Sequence, residues 1–175
     1  ALKKRIPEIE ILFVGASNRM EMERVPKAGY EIIGLPIIGF SRKISFKLFT
    51  FFIKLFRSLI KAKSIIKKFQ PDIAIGVGGY ASGALLYMAS RKGVPSLIQE
   101  QNSFPGITNK LLKNKVKRIC VAYEGMEKFF PSEKIIHTGN PVRNDIIDLS
   151  GKREEALKHF NLDSNKKTIL ILGGS

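Results

Sequence analysis

The feature that most constrains what this chain can fold into is an apolar run that breaks into glycines. Asp72-Ile73-Ala74-Ile75 leads directly into Gly76-Val77-Gly78-Gly79-Tyr80-Ala81-Ser82-Gly83. A buried strand that runs into a glycine turn and then a helix is how an α/β fold presents bare backbone N–H groups to a ligand. A Cβ at the turn would block both the tight backbone path and close approach of that ligand. A second junction of the same kind closes the chain, where Thr168–Leu172 runs into Gly173-Gly174-Ser175. Two such junctions far apart in one chain predict two halves facing one cleft, and a nucleotide-type ligand.

Hydrophobic periodicity supplies the remaining elements. Strands are expected at Ile9–Val14, Tyr30–Leu35, Asp72–Val77, Ser96–Gln99, Arg118–Ala122, Lys134–His137 and Thr168–Leu172. Helices are expected over Ser45–Phe69, stopped by Pro71, and over Ser82–Lys92, Pro105–Leu112 and Glu154–Phe160. This alternation predicts an α/β fold with a doubly wound, Rossmann-like parallel sheet. A fresh helix–strand–glycine unit begins after Asn144–Gly151, which divides the chain into residues 1–145 and the start of a second Rossmann-like domain at 146–175. Ala1–Arg5 reads as the tail of a helix and Ser175 stops in mid-loop, so the chain reads as a piece of something longer.

The helix over Ser45–Phe69 carries one apolar face more than a sheet needs. Ile44, Leu48, Phe51, Leu55, Leu59, Ala62, Ile66 and Phe69 form a stripe at three–four spacing that can pack inward. Phe46, Phe49, Ile53, Phe56 and Ile60 project from a different side, among Lys47, Lys54, Arg57 and Lys61. No acidic residue occurs from Ile32 to Pro71. A basic, aromatic second face suits a helix lying in a membrane interface, where rings enter the acyl boundary and cations meet lipid phosphates. The competing reading is burial of both faces between the sheet and a neighbouring layer. The interrupting cations leave too short an apolar stretch for a membrane span.

The formal net charge of +15 implies an anionic partner, an acidic membrane surface or nucleic acid, or else a lysine-rich solvated surface. A nucleic-acid binder is disfavoured because neither a groove-reading motif nor a stacking platform is recognisable. Cys120 is the single cysteine and, within Ile119–Ala122, is expected to be a buried, inert thiol. His137, in an apolar strand, reads as a core histidine. No cluster has metal-ligand spacing, and neither a metal nor a cofactor is expected.

Two ligands compete for the glycine turn. Gly76-x-Gly78-x-x-Ala81 satisfies a relaxed dinucleotide fingerprint, and Glu100 lies 24 residues past Gly76 where a ribose-binding acid belongs. That would make the chain the NAD(P)-type domain of an oxidoreductase. Against it, Gly79 and Ala81-Ser82-Gly83 broaden the glycine loop, and Gln99-Glu100-Gln101-Asn102 offers more polar groups than one ribose contact uses. Asn102 can donate and accept, which suits sugar hydroxyls. Arg143, after the turn Gly139-Asn140-Pro141-Val142, has the planar fork that matches a pyrophosphate.

Taken together, Gly76–Gly83, Glu100-Gln101-Asn102, Gly139-Asn140-Pro141-Val142-Arg143 and Gly173-Gly174-Ser175 resemble the MurG family of bacterial glycosyltransferases. Asn18-Arg19-Met20-Glu21 and Val25-Pro26 resemble that family's early segment. The resemblance covers nearly the whole chain, in order. It implies a GT-B fold and inverting transfer of N-acetylglucosamine from UDP-N-acetylglucosamine to an undecaprenyl-linked muramyl-pentapeptide, at the cytoplasmic face of the bacterial inner membrane. It implies that Asn102, Arg143 and Ser175 contact the sugar nucleotide. The acceptor and its pyrophosphate would then meet Gly76, Gly78, Gly79, Tyr80, Ser82, Gly83, Glu100 and Gln101. Phe46, Phe49, Ile53, Phe56, Lys47, Lys54 and Arg57 would form the membrane patch. The family's opening strand and its first glycine loop, Gly-Gly-Thr-Gly-Gly-His, have no counterpart in the chain, and most of the donor domain is missing. Where the family commonly has a proline after Ser-Gly, Ala84 stands here.

Overall fold

In the computed structural model, residues 2–39, 46–142 and 150–171 are described, 46–48 by backbone alone. The chain divides into two compact units, Ala1–Asn140 and Pro141–Ser175.

The first unit alternates as the apolar runs predict. A short helix α1 (Leu2–Arg5) precedes strand β1 (Leu12–Ala16), helix α2 (Glu21–Lys27) and strand β2 (Glu31–Leu35). The long helix α3 (Phe46–Phe69) leads to β3 (Ala74–Gly76), α4 (Gly79–Arg91), β4 (Ser96–Glu100), α5 (Ile107–Leu112), β5 (Arg118–Val121) and β6 (Ile135–His137). All ladders are parallel, β1 with β2 and β3-β4-β5-β6 in that order. Among the described residues no ladder joins β1 to β3, although α4 packs on both strands.

β1 sits two to three residues later than the sequence suggests, because its register with β2 pairs Gly15 with Gly34 and Ala16 with Leu35. Helix α2 has no apolar period and contains Pro26 in its last turn, so pattern reading misses it. Acids in its first turn favour it, and the Glu21 carboxylate accepts a 3.1 Å hydrogen bond from Ala16 N–H.

Helices α3, α4 and α5 lie side by side in one layer, α4 packing on both neighbours. Beneath them are two contiguous cores. Leu86, Ile98, Ile119, Val121, Met126 and Phe130 fill the one under α4 and α5. Leu35, Ile37, Ala62, Ile65, Ala81 and Ala84 fill the one where α3 and α4 meet β1 and β2. Leu85 and Met88 of α4 border both.

Of the inward stripe of α3, Ala62 and Ile66 are buried and Phe51, Leu55, Leu59 and Phe69 half-buried, while Ile44 and the side chain of Leu48 lie outside the described residues. Ser58 and Ile65 join it; the Ser58 hydroxyl donates to Lys54 O at 2.7 Å, so no polar atom is stranded there. α3 ends where Gln70 turns left-handed, φ 48°, just before Pro71.

His137 departs from expectation. Among the described residues β6 is an edge strand with one neighbour, and His137 is exposed, its Nε2 lying 3.2 Å from Ala122 O. Cys120 is half-buried in β5.

The second unit contains one described helix, α6 (Lys152–His159). Thr168–Ile171 joins no ladder among the described residues, and Ile169, Leu170 and Ile171 remain exposed. A parallel strand exists only against a neighbour, so apolar pattern alone does not form one.

Candidate functional site

Every parallel strand of the β3–β6 sheet delivers its following loop to the same edge, and that edge gathers the sequence motifs. β3 ends at Gly76, and Val77-Gly78 turns the chain into α4, which starts at Gly79, three residues earlier than periodicity suggests. Gly78 and Gly79 have φ of 95° and 77°, conformations an L side chain rarely adopts, and a Cβ on either would meet nothing within 4 Å. The turn is therefore open, with the unpaired N–H groups of the first turn of α4 facing it. Tyr80 and Ser82 lie in that first turn, Tyr80 exposed and Ser82 half-buried.

Gly76 and Gly83 have packing roles instead. A Cβ on Gly76 would collide with Leu86 Cδ1, and one on Gly83 would stand 3.1 Å from Thr108 Cγ2 of α5. The first glycine keeps α4 close to β3, and the second keeps α4 close to α5.

Glu100, the last residue of β4, is 2% exposed and turned inward. Its Oε1 accepts from Asn102 N–H at 3.0 Å and from Asn102 Nδ2 at 3.1 Å. Its Oε2 accepts from Gly106 N–H at 3.1 Å and from Asn109 Nδ2 at 2.9 Å. One carboxylate thus organises the whole connection from β4 to α5. With both oxygens occupied and buried it reaches neither a ribose hydroxyl nor an attacking hydroxyl, which removes the main support for the dinucleotide reading. Asn109 is 3% exposed, and its Oδ1 is buried with no hydrogen-bond donor. Neighbouring Asn102 is exposed, its amide nitrogen held by Glu100.

The Gly139-Asn140 turn is tied to the same loop. Gln99 Nε2 donates to Gly139 O at 3.1 Å, Thr138 Oγ1 donates to Gln99 Oε1 at 3.3 Å, and Asn140 Nδ2 donates to Gln101 O at 3.2 Å. Three motifs separate in sequence, the glycine turn, Glu100–Asn102 and Gly139-Asn140, therefore share one sheet edge. Arg143, Ser175 and the closing glycines lie outside the described residues.

On α3, Phe49, Ile53, Phe56 and Ile60 are exposed, as the second stripe predicts, and Phe52 is exposed with them. Lys54 is half-buried and Arg57 exposed, while the side chains of Phe46 and Lys47 lie outside the described residues. Pattern reading missed an open cleft of about 390 Å³ lined by Ser17, Pro36, Arg57, Ile60, Lys61 and Ser64. It sits where β1 and β2 end beside α3, and only the fold brings Ser17 to Arg57. No helix among the described residues is long and apolar enough to cross a membrane.

This parallel α/β unit, with an open glycine turn and a polar loop at its carboxyl edge, is of the nucleotide-sugar transferase type. The model of the glycosyltransferase family 28 N-terminal domain matches residues 1–121, and the chain belongs to that family. A Bacteroides fragilis protein is 60% identical over 175 residues, all of this chain and 46% of its own length. One from Flavobacterium psychrophilum is 59% identical over 174 residues, 99% of this chain and 47% of its own. Both are named UDP-N-acetylglucosamine–N-acetylmuramyl-(pentapeptide) pyrophosphoryl-undecaprenol N-acetylglucosamine transferase. The chain spans about half the length of these curated relatives. The crystal structure of Acinetobacter baumannii MurG matches with a TM-score of 0.64 at 24% identity, over 82% of this chain and 40% of that one. A glycosyltransferase from Rickettsia africae matches at 0.63 and 13% identity, over 92% and 44%. The fold is the Rossmann-like α/β fold of GT-B glycosyltransferases, in part.

Proposed function

We propose that this chain is the acceptor-side part of an inverting transferase that moves N-acetylglucosamine from UDP-N-acetylglucosamine to an undecaprenyl-pyrophosphoryl-muramyl-pentapeptide during peptidoglycan synthesis. The observation that carries it is identity near 60% along the whole chain to relatives named for that reaction. Residues 1–145 form the acceptor domain and 146–175 begin the donor domain, with Asn102, Arg143 and Ser175 contacting the sugar nucleotide. The acceptor's 4-hydroxyl attacks the anomeric carbon as UDP leaves, through an oxocarbenium-like state. Backbone N–H groups at the glycine turn and the Arg143 guanidinium are suited to the pyrophosphate charge, which needs no metal. The catalytic base is a group other than Glu100. The chain of 175 residues by itself is inactive.

α3 seats the protein on the cytoplasmic face of the inner membrane, through Phe49, Ile53 and Phe56 among Lys54 and Arg57. Exposed rings beside cations in a stretch without acids support this. The full-length protein is assayed for transfer from radiolabelled UDP-N-acetylglucosamine to a short-chain polyprenyl analogue of the acceptor. Absence of transfer, or transfer to a different acceptor class, would refute the reading. Substitution of Phe49 and Phe56 by Ser weakens binding to anionic vesicles, and unchanged partitioning removes α3 from the membrane.

A further inference from the structure

A second apolar patch lies outside everything assigned above. Phe104, Ile107 and Leu111 are 68%, 63% and 73% exposed, on α5 and the loop that leads into it. Ile107 and Leu111 are four residues apart and share one face of the helix. Three such side chains on six residues of helix and the short loop before it are concentrated rather than scattered exposure. Cations surround it. Lys110 stands 3.9 Å from the Phe104 ring centroid and 5.3 Å from that of Phe129, and Lys128 is 5.2 Å from the latter. Phe104 and Phe129 are themselves edge-on at 5.2 Å, so the patch has a fixed aromatic base. From Gln101 to Tyr123 there are five basic residues and no acid.

We propose that Phe104, Ile107 and Leu111, flanked by Lys110 and Lys128, form a second insertion point into an anionic bilayer. Charge complementarity selects this occupant, because apolar side chains enter the acyl boundary while the surrounding cations meet lipid phosphates. The fold permits both contacts at once, since α3 and α5 flank α4 in one helical layer. Two contacts on one layer fix the tilt of the domain, which a single helix cannot do. The inference rests on the reading of the chain as membrane-seated and extends it from α3 to a second element.

The 175-residue chain is mixed with vesicles of phosphatidylglycerol and phosphatidylcholine, or of phosphatidylcholine alone, and separated by flotation. The triple variant F104S/I107S/L111S is expected to partition onto the anionic vesicles roughly tenfold less or worse. Partitioning equal to the parent's, with the α3 variant F52S/F56S still impaired, overturns the proposal and leaves α3 standing. The reverse pattern upholds the α5 patch and removes α3, while failure of the parent chain to bind at any salt concentration removes both. The chain has no Trp, so Ile107→Trp creates a single reporter at an exposed site without disturbing the core. Its emission is expected to shift blue and to be quenched by brominated lipid. Unshifted, unquenched emission overturns the proposal. If it is joined by a concentration-dependent dimer that the triple variant loses, the patch belongs to a second copy of the chain.

Discussion

Replacing Glu100 with Ala removes the acceptor for four N–H groups at once, and the structure sets what that costs. The donors on Asn102 and Gly106 are exposed, so water replaces most of what they lose. Asn109 Nδ2 is buried and keeps only a long 3.4 Å bond to Gln99 O, while its Oδ1 already lacks a partner. Taking about 0.5 kcal/mol for each solvated donor and about 2 kcal/mol for the buried one gives a loss of about 3–4 kcal/mol. Glu100→Gln keeps the volume but turns an NH₂ group toward two of the donors, for a loss of about 2 kcal/mol. Urea unfolding at constant m-value reads both. In the full-length protein, Glu100→Gln and Asn102→Ala are expected to impair transfer similarly and, combined, to add little, because Glu100 acts by holding Asn102. A loss below about 1 kcal/mol for Glu100→Ala would refute the buried-hub account. Abolished turnover in Glu100→Gln beside a mild Asn102→Ala would make Glu100 the base instead.

The glycines of the turn separate by mechanism. Gly76→Ala is expected to cost about 1–3 kcal/mol by collision with buried Leu86, part of it relieved when Leu86→Val is added. Gly78→Ala costs about the same through its φ of 95° alone, with no coupling to Leu86 in a double-mutant cycle. At the cleft beside α3, Arg57→Gln and Lys61→Gln each weaken binding to phosphatidylglycerol vesicles about fivefold at low salt. The difference shrinks as salt rises, and a salt-independent defect would point to lost packing instead. In the full-length protein, Arg143→Ala raises KM for UDP-N-acetylglucosamine; unchanged donor kinetics would free Arg143 from the pyrophosphate.

How much of this was legible in the sequence depends on how local each feature is. The two faces of α3 follow from three–four spacing alone, so the inner stripe and the exposed Phe49, Ile53, Phe56 and Ile60 could be read without a structure. The glycine turn was legible because Gly78 and Gly79 answer to their own backbone. Glu100 was not. A carboxylate at a strand end looks alike whether it faces a ribose or the N–H groups of the next loop, and only the path from Asn102 to Asn109 decides. His137 failed for a related reason, since an edge strand and a central one share the same apolar pattern. Thr168–Ile171 has the pattern of a strand but no ladder among the described residues, because pairing belongs to two segments and pattern to one.

The parallel fold links the proposed membrane seating to the candidate site. A helix that follows a parallel strand starts at that sheet's carboxyl edge. The exposed rings of α3 fall in its first half, after β2, and Phe104 and Ile107 lie at the start of α5, after β4. The glycine turn after β3 and the Glu100–Asn102 loop stand at the carboxyl ends of their own strands. The apolar side chains best suited to a bilayer are therefore crowded toward the end of the helical layer that carries the glycine turn and are sparse toward the far end of α3, where Lys63, Lys67 and Lys68 are exposed. For the proposed acceptor, whose lipid tail would stay in the membrane, such seating would shorten the distance from the bilayer to the N–H groups of α4. Moving the rings should then uncouple binding from turnover. A full-length variant with Phe52 and Phe56 replaced by Ser, and with Lys63 and Lys67 replaced by Phe, should still bind vesicles. It should lose transfer to a vesicle-embedded acceptor while keeping transfer to a detergent-dispersed one. Equal loss on both acceptors would mean that the rings serve the fold and not the approach to the membrane.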